Sequence, residues 1–115
     1  MEKIFEGVKN IVKAIDDKKG VDIKVLDLQG ITEIADYFVI ATGNNKAHIS
    51  SLSDNVEEKL KEIGFEVVRK QGQDEGEWII LDYGDIVVHL FREETRRFYD
   101  LEKFWRSAKT VEIAI

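Results

Sequence analysis

The sequence predicts one α/β (α+β) domain, built as a mixed five-stranded sheet flanked by helices. Its 115 residues suffice for a single core without disulfides or metal. Apolar residues recur at helical spacing near the N-terminus and again between positions 49 and 63. Short runs of branched and aromatic residues alternate with these helices, as strands do. We therefore expect one domain over residues 1–115, with a tail from about 108 that is either loose or paired with a sheet edge.

Composition limits the classes of partner. The net charge is −6, from 17 basic and 23 acidic side chains. Phosphate backbones are bound by basic groups, so this balance argues against direct nucleic-acid binding and favours a basic protein partner. No apolar run approaches the roughly 20 residues of a membrane span, and the N-terminus shows no signal region. Cysteine is absent, which fits a reducing compartment. We therefore expect a cytoplasmic protein.

A hairpin is predicted between Gly76 and Phe91, where two apolar runs flank a short polar turn at residues 82–85. Gly84 can adopt the positive φ that a tight reversal usually needs. The second run, 86–91, is apolar at every position except His89, so it should lie inside the sheet. Trp78 and Tyr83 stand at opposite ends of the first run. We expect both side chains to be partly exposed.

The elements before the hairpin follow from periodicity and stop signals. They are a helix over residues 2 to about 17, strands over 23–28 and 37–41, a helix with apolar positions from 49 to 63, and a third strand that begins at 65–68. Asn44 or Asn45 should cap the second helix and Gly64 should close it. The strand–helix–strand order favours a parallel crossover, whereas the two later connections are short enough to be antiparallel.

Aromatic residues are concentrated after the hairpin. They lie between positions 98 and 105, on one or two short helices, with Asp100 as a plausible cap. Phe98 and Phe104 are equally consistent with exposed contact residues and with a small second core beneath these helices.

Candidate chemistry is sparse. The turn at residues 42–45, between a strand and a helix start, has some character of a phosphate cradle, but it lacks the Lys and the glycines of a nucleotide loop. His89, in a buried strand, is typical of a histidine hydrogen-bonded inside a fold. His48, with Ser51 and Asn55, is typical of a solvated helix face. We predict no catalytic residue, no cofactor and no metal.

Several segments together resemble the ribosomal silencing factor (Iojap-like) family. They are Val25-Leu26-Asp27-Leu28, the run from Asp36 to Gly43, His48, the run from Trp78 to Asp85, Val88-His89-Leu90-Phe91, and the run from Phe98 to Trp105. The resemblance covers nearly the whole chain. It implies a translational repressor that binds the large ribosomal subunit through ribosomal protein uL14 and blocks joining of the small subunit. It also implies a nucleotidyltransferase-like fold and a homodimer when the protein is free.

That fold relation supplies the main alternative, a nucleotidyltransferase enzyme. Such enzymes share a Gly-Ser turn followed by an Asp-x-Asp pair, because two nearby carboxylates hold the Mg²⁺ that bridges nucleotide phosphates. Here the turn is Gly43-Asn44, and the sequence contains no Asp-x-Asp. The sequence therefore predicts that the protein is not an enzyme. A generic protein-interaction domain is the third interpretation.

Aromatic residues dominate the centres of protein interfaces, and acidic residues at the rim attract a basic partner. Asp82, Asp85 and Glu102 would form such a rim. The predicted partner-binding residues are Trp78, Asp82, Tyr83, Asp85, His89, Tyr99, Glu102 and Trp105.

Overall fold

The computed structural model describes residues 2–114. Its elements, in chain order, are α1 (Glu2–Asp17), β1 (Val21–Asp27), β2 (Tyr37–Gly43), α2 (Lys46–Glu62), β3 (Arg69–Gln71), β4 (Trp78–Asp82), β5 (Ile86–Arg92), α3 (Glu93–Tyr99), α4 (Leu101–Phe104) and β6 (Lys109–Val111).

The sheet is mixed, as predicted, and its strand order is β3-β4-β5-β2-β1-β6. β2 and β5 are parallel, and every other neighbouring pair is antiparallel. The prediction of five strands was wrong, because the C-terminal tail adds a sixth. Residues 109–111 pair with Val25–Asp27 along the outer edge of β1. The tail thus pairs with an edge, although Ile115 lies outside the described residues.

The predicted hairpin is confirmed as β4 and β5. Gly84 has a φ of 89°, and its N–H donates to the Asp82 carboxylate over 2.8 Å. β5 lies between β4 and β2, and each residue from Ile86 to Phe91 is buried. This strand is therefore interior to the sheet, as its apolar sequence predicted.

Helices α1 and α2 cover one face of the sheet and enclose the main core with it. Alternation along each strand decides which residues face them. Along β5, for example, Ile86, Val88 and Leu90 face the main core, whereas Val87 and Phe91 face the opposite side. The opposite side carries a second, smaller core to which Leu101 and Trp105 contribute.

The ends of α2 agree with the sequence. The Asn45 side chain caps the helix by accepting a hydrogen bond from the His48 N–H over 2.8 Å. Gly64 follows the helix with a φ of 91°. Its N–H donates to the Lys61 carbonyl, and the Phe65 N–H donates to the Leu60 carbonyl. These two bonds form a Schellman motif, which satisfies carbonyls at the helix end.

The same motif explains a second error. The third strand does not begin at Phe65, because the backbone there closes α2, and regular pairing begins at Arg69. The predicted orientation is nevertheless confirmed. β3 is antiparallel to β4, β4 is antiparallel to β5, and β5 is parallel to β2, so β3 runs in the same direction as β2.

Candidate protein-binding surface

The two faces of the sheet differ in their cover. The long helices α1 and α2 pack on one face, whereas the short helices α3 and α4 and the turn after them pack against the other. The second face carries a group of rings that we call the aromatic face: Phe38, Trp78, His89, Phe91, Tyr99 and Trp105.

Trp78 is the centre of this group. It is directly opposite Phe91 in the β4–β5 pairing, and the two rings stack with centroids 4.7 Å apart. The ring of Tyr99, at the end of α3, lies 4.8 Å from it. The indole N–H of Trp78 donates to Nδ1 of His89 over 3.1 Å. Trp78 is partly exposed, as predicted, but it is held by three neighbours.

His89 supports Trp78 from inside the sheet. It is 5% exposed, and burial lowers its pKa to about 3, so the ring is neutral at physiological pH. Because Nδ1 accepts from Trp78, we assign the ring proton to Nε2. Nε2 is buried and has no hydrogen-bond partner among the described residues. The prediction of a histidine hydrogen-bonded inside the fold is confirmed.

Tyr83 does not belong to the aromatic face. It is 9% exposed and packs in the main core on the other side of the sheet. Burial, followed by the nearby Glu57 carboxylate, raises its pKa. The expectation that Tyr83 is partly exposed was wrong, and the reason is visible in the sequence. Five positions separate it from Trp78, and an odd spacing along extended chain places two side chains on opposite faces.

The three residues of the predicted acidic rim have different surroundings in the structure. Asp85 is exposed in the hairpin turn. Asp82 uses one carboxylate oxygen to accept from the Gly84 N–H. Glu102 is engaged by Arg96, whose Nε and Nη2 donate to its two oxygens over 2.9 and 3.1 Å. Glu102 is therefore part of an internal ion pair and not an unpaired rim charge.

Sequence reasoning missed Arg96. Its side chain is buried, and Nη1 donates both to the Asp22 carbonyl and to the Thr42 hydroxyl, each over 2.8 Å. In sequence, Arg96 is one of two adjacent arginines in a charged helix, and such residues are mostly exposed. Its partners are distant along the chain, so no local pattern identified it.

The segment after the hairpin separates its aromatic residues into two groups. Leu101 and Trp105 pack against the second core. Phe98 and Phe104 are 80% and 75% exposed, and Tyr99 is 53% exposed. The alternative in which Phe98 and Phe104 close a second core is therefore wrong. Asp100 separates the two helices in a left-handed conformation, with no hydrogen bond from its side chain to the helix start.

Part of the turn before α2 is already engaged by hydrogen bonds within the protein. The Asn44 N–H donates to Nδ1 of His48 over 2.9 Å, and Nε2 of the same ring lies 2.8 Å from the Lys18 carbonyl. Asn55 is buried and donates to the Ala14 carbonyl over 2.8 Å. The prediction of a solvated face was therefore wrong for Asn55, which joins α1 to α2.

Two further features concern the described part of the chain. Among residues 2–114, no three His, Asp or Glu side chains are grouped so that they could hold a metal ion. Within that same range, no helix combines the length and the apolar character that crossing a membrane requires.

A mixed sheet that presents exposed aromatic side chains beside buried, hydrogen-bonded supports has the features of a protein-binding domain. Comparison with known proteins identifies the family within this class. The chain belongs to the ribosomal silencing factor family, since the family model described as "Ribosomal silencing factor during starvation" matches residues 2–115.

Individual relatives agree with this assignment. "Ribosomal silencing factor RsfS" of Halalkalibacterium halodurans is 38% identical over 102 residues, which cover 89% of this chain and 87% of that protein. A crystal structure of a Chromobacterium violaceum protein superposes with a TM-score of 0.87 at 35% identity, covering 97% of this chain and 92% of the other. A more distant mouse relative, "Mitochondrial assembly of ribosomal large subunit protein 1", is 30% identical and is matched over 43% of its length, covering 83% of this chain.

Proposed function

We propose that this protein represses translation by binding the large ribosomal subunit through ribosomal protein uL14, so that the small subunit cannot join. The observation that carries the proposal is the set of exposed rings on α3 beside Trp78, in a family described by ribosome silencing. The name of the mouse relative, which refers to the large subunit, supports the choice of subunit.

Within this proposal the residues take different roles. Trp78 and Tyr99 are the anchors, because both are in ring contact and both reach solvent. Asp85 and Asp82 give the hairpin turn, at the other end of β4 from Trp78, a negative charge that favours a basic ribosomal protein. His89 acts from behind the surface, by packing against Trp78, whereas Trp105 is partly exposed and packs over the buried ring of Phe38. Tyr83 contributes to the stability of the domain and not to contact.

Sedimentation with isolated subunits tests the choice of partner. We expect the protein to co-sediment with large subunits and to remain at the top of the gradient with small subunits. An excess of free uL14 should compete with this binding. Equal binding to both subunits, or binding that free uL14 does not reduce, would contradict the proposal.

We further propose that the protein needs no cofactor and is not an enzyme, although the family resemblance relates its fold to nucleotidyltransferases. The carboxylates of Asp27 and Asp82 each accept a hydrogen bond from the backbone N–H two residues further along the chain. This pattern is typical of Asp residues that stabilise turns. Incubation with labelled nucleoside triphosphates and Mg²⁺ should give no incorporation. Incorporation that Asp27→Asn or Asp82→Asn abolishes would restore the enzyme interpretation.

The proposal also includes a cytoplasmic location and a homodimer when the protein is free. The homodimer comes from the family resemblance, whereas the location comes from the composition of the sequence. A dimer that buries the exposed rings would compete with the ribosome for the same surface, so sedimentation equilibrium of the free protein should be compared with that of Phe98→Ala.

A further inference from the structure

Arg96 is unusual because its charged side chain is 7% exposed in a helix of only seven residues. Arginine is rarely buried unless its donors are matched by acceptors. Here they are matched by four hydrogen bonds of 2.8 to 3.1 Å. A buried guanidinium with four hydrogen bonds fixes the relative positions of the structural elements to which its partners belong.

The partners come from three separate elements. Thr42 lies on β2, Asp22 lies at an irregularity in the β1–β2 pairing, and Glu102 lies on α4. Asp22 also has a φ of 53°, and its carbonyl accepts from Nη1 of Arg96. Arg96, on α3, therefore ties both short helices to the end of two strands.

The joint between α3 and α4 needs such a tie. The two helices meet at Asp100, a residue other than glycine with a φ of 49°, and its side chain makes no capping bond. A left-handed conformation costs energy for residues other than glycine, although Asp tolerates it better than most. α4 has only four residues, which is too short to be stable alone. The two bonds from Arg96 to Glu102 span this joint, since the two residues lie on either side of it.

The joint lies next to the exposed rings. Tyr99 is the last residue of α3, and its ring lies 4.8 Å from Trp78 and 5.1 Å from Phe98. The bonds from Arg96 to Asp22 and Thr42 hold α3 on the strands, and those to Glu102 fix the direction of Arg96, so loss of this set would let Tyr99 move away from Trp78.

We propose that Arg96 is the positioning residue of the aromatic face. It holds α3 and α4 in the arrangement that a partner binds, and Glu102 acts through this geometry and not as a charge that faces the partner. The inference rests on the proposed function, because the partner in question is the large-subunit protein. A preorganised surface loses less conformational entropy on binding, so disrupting the tie should weaken affinity without removing any contact residue.

Two variants break the tie from opposite sides. Arg96→Lys keeps the charge, but one ammonium group cannot reproduce the planar fork that reaches Glu102, Thr42 and Asp22. Glu102→Ala removes both acceptors from a side chain that is 32% exposed, so it leaves the sheet core intact. The matched control is Arg97→Lys, since Arg97 is 72% exposed and its nearest carboxylate oxygen is 3.9 Å away.

The measurement is the binding of each full-length variant to isolated large subunits, followed in real time. We expect Arg96→Lys and Glu102→Ala to raise Kd at least tenfold through faster dissociation, with little dependence on salt. Arg97→Lys should stay within twofold of the wild type. Far-UV circular dichroism establishes whether each variant is folded at the assay temperature. If Arg96→Lys is unfolded, the binding of Glu102→Ala alone tests the inference.

A second measurement does not need the ribosome. The chain has two tryptophans, so a Trp105→Phe background leaves Trp78 as the only fluorophore of this type. Its emission should shift to longer wavelength in Arg96→Lys and Glu102→Ala, because Tyr99 no longer covers it, and should not shift in Arg97→Lys.

Three outcomes would overturn the inference: wild-type Kd and dissociation rate in folded Glu102→Ala, a loss of affinity that disappears as salt is raised, or unchanged Trp78 emission in both variants. The second outcome would instead make Glu102 a direct charge contact. If the wild type fails to bind large subunits, the proposed function fails, while the emission of Trp78 still tests the positioning role.

Discussion

At the scale of single residues, Tyr99 on the surface and Tyr83 in the core have opposite roles. Tyr99→Ala removes a ring that is 53% exposed, so affinity for the large subunit should fall by about 2 kcal/mol while stability changes little. Tyr83→Ala removes a core side chain, so it should cost about 3 to 5 kcal/mol of unfolding free energy. Urea unfolding and binding assays on both variants check this. A stable Tyr83→Ala protein that has lost binding would contradict the assignment.

Trp78 lies between these two cases. It reaches solvent, yet it stacks on Phe91 and donates to His89, so its truncation should lower both stability and affinity. Substitution of Trp78 therefore cannot separate a loss of binding from a loss of stability, although its position in the sequence indicated an exposed anchor.

His89 should make stability depend on pH. Burial lowers its pKa to about 3, whereas the unfolded chain titrates near the ordinary value of about 6.5. Between these values the unfolded state binds more protons, so stability falls as pH falls. From pH 6.5 to 5 the unfolding free energy should drop by about 2 kcal/mol.

The control for this effect is His89→Leu, which has no titrating ring. Urea denaturation at several pH values should show a shallower dependence in the variant than in the wild type over this interval. Parallel curves for the two proteins would mean that His89 is not the source.

At the scale of elements, β6 shows how a short tail can complete a sheet. Only three residues pair with β1, but Val111 and Ile113 also pack against the main core. A chain that ends after Ser107 should lose that burial, which is worth about 2 to 3 kcal/mol, and should expose the edge of β1. Thermal unfolding and light scattering measure the two effects. An unchanged melting temperature would show that β6 is not needed.

The sequence predicted some elements better than others for physical reasons. β5 and α2 were predicted well because their signals are local: an unbroken apolar run, an Asn cap and a closing Gly. β6 was left open because three weakly alternating residues are too few to specify a strand without the edge that they join. The beginning of β3 was misplaced because Phe65 is as suitable for closing a helix as for a strand.

At the scale of the whole molecule, the candidate surface also combines residues that have local sequence signals with residues whose contacts depend on distant partners. Trp78, Tyr99 and Asp85 were proposed from residue type and position, and all three reach solvent. The hydrogen bonds of Arg96, including those to Glu102, could not be predicted, because their partners are brought together by the fold. We inferred the kind of partner from the charge of the chain, whereas the surface that we propose for it depends on which rings the second core leaves exposed.

Light scattering during reassociation of purified ribosomal subunits tests most directly whether the aromatic face, together with the neighbouring Phe98, blocks their joining. We predict that the wild-type protein, added to large subunits first, prevents the increase in scattering that accompanies joining. The Phe98→Ala/Tyr99→Ala variant should permit joining at the same concentration, although its melting temperature stays near that of the wild type. Joining that proceeds normally with the wild type, or that the folded double variant still blocks at wild-type concentrations, would contradict the claim.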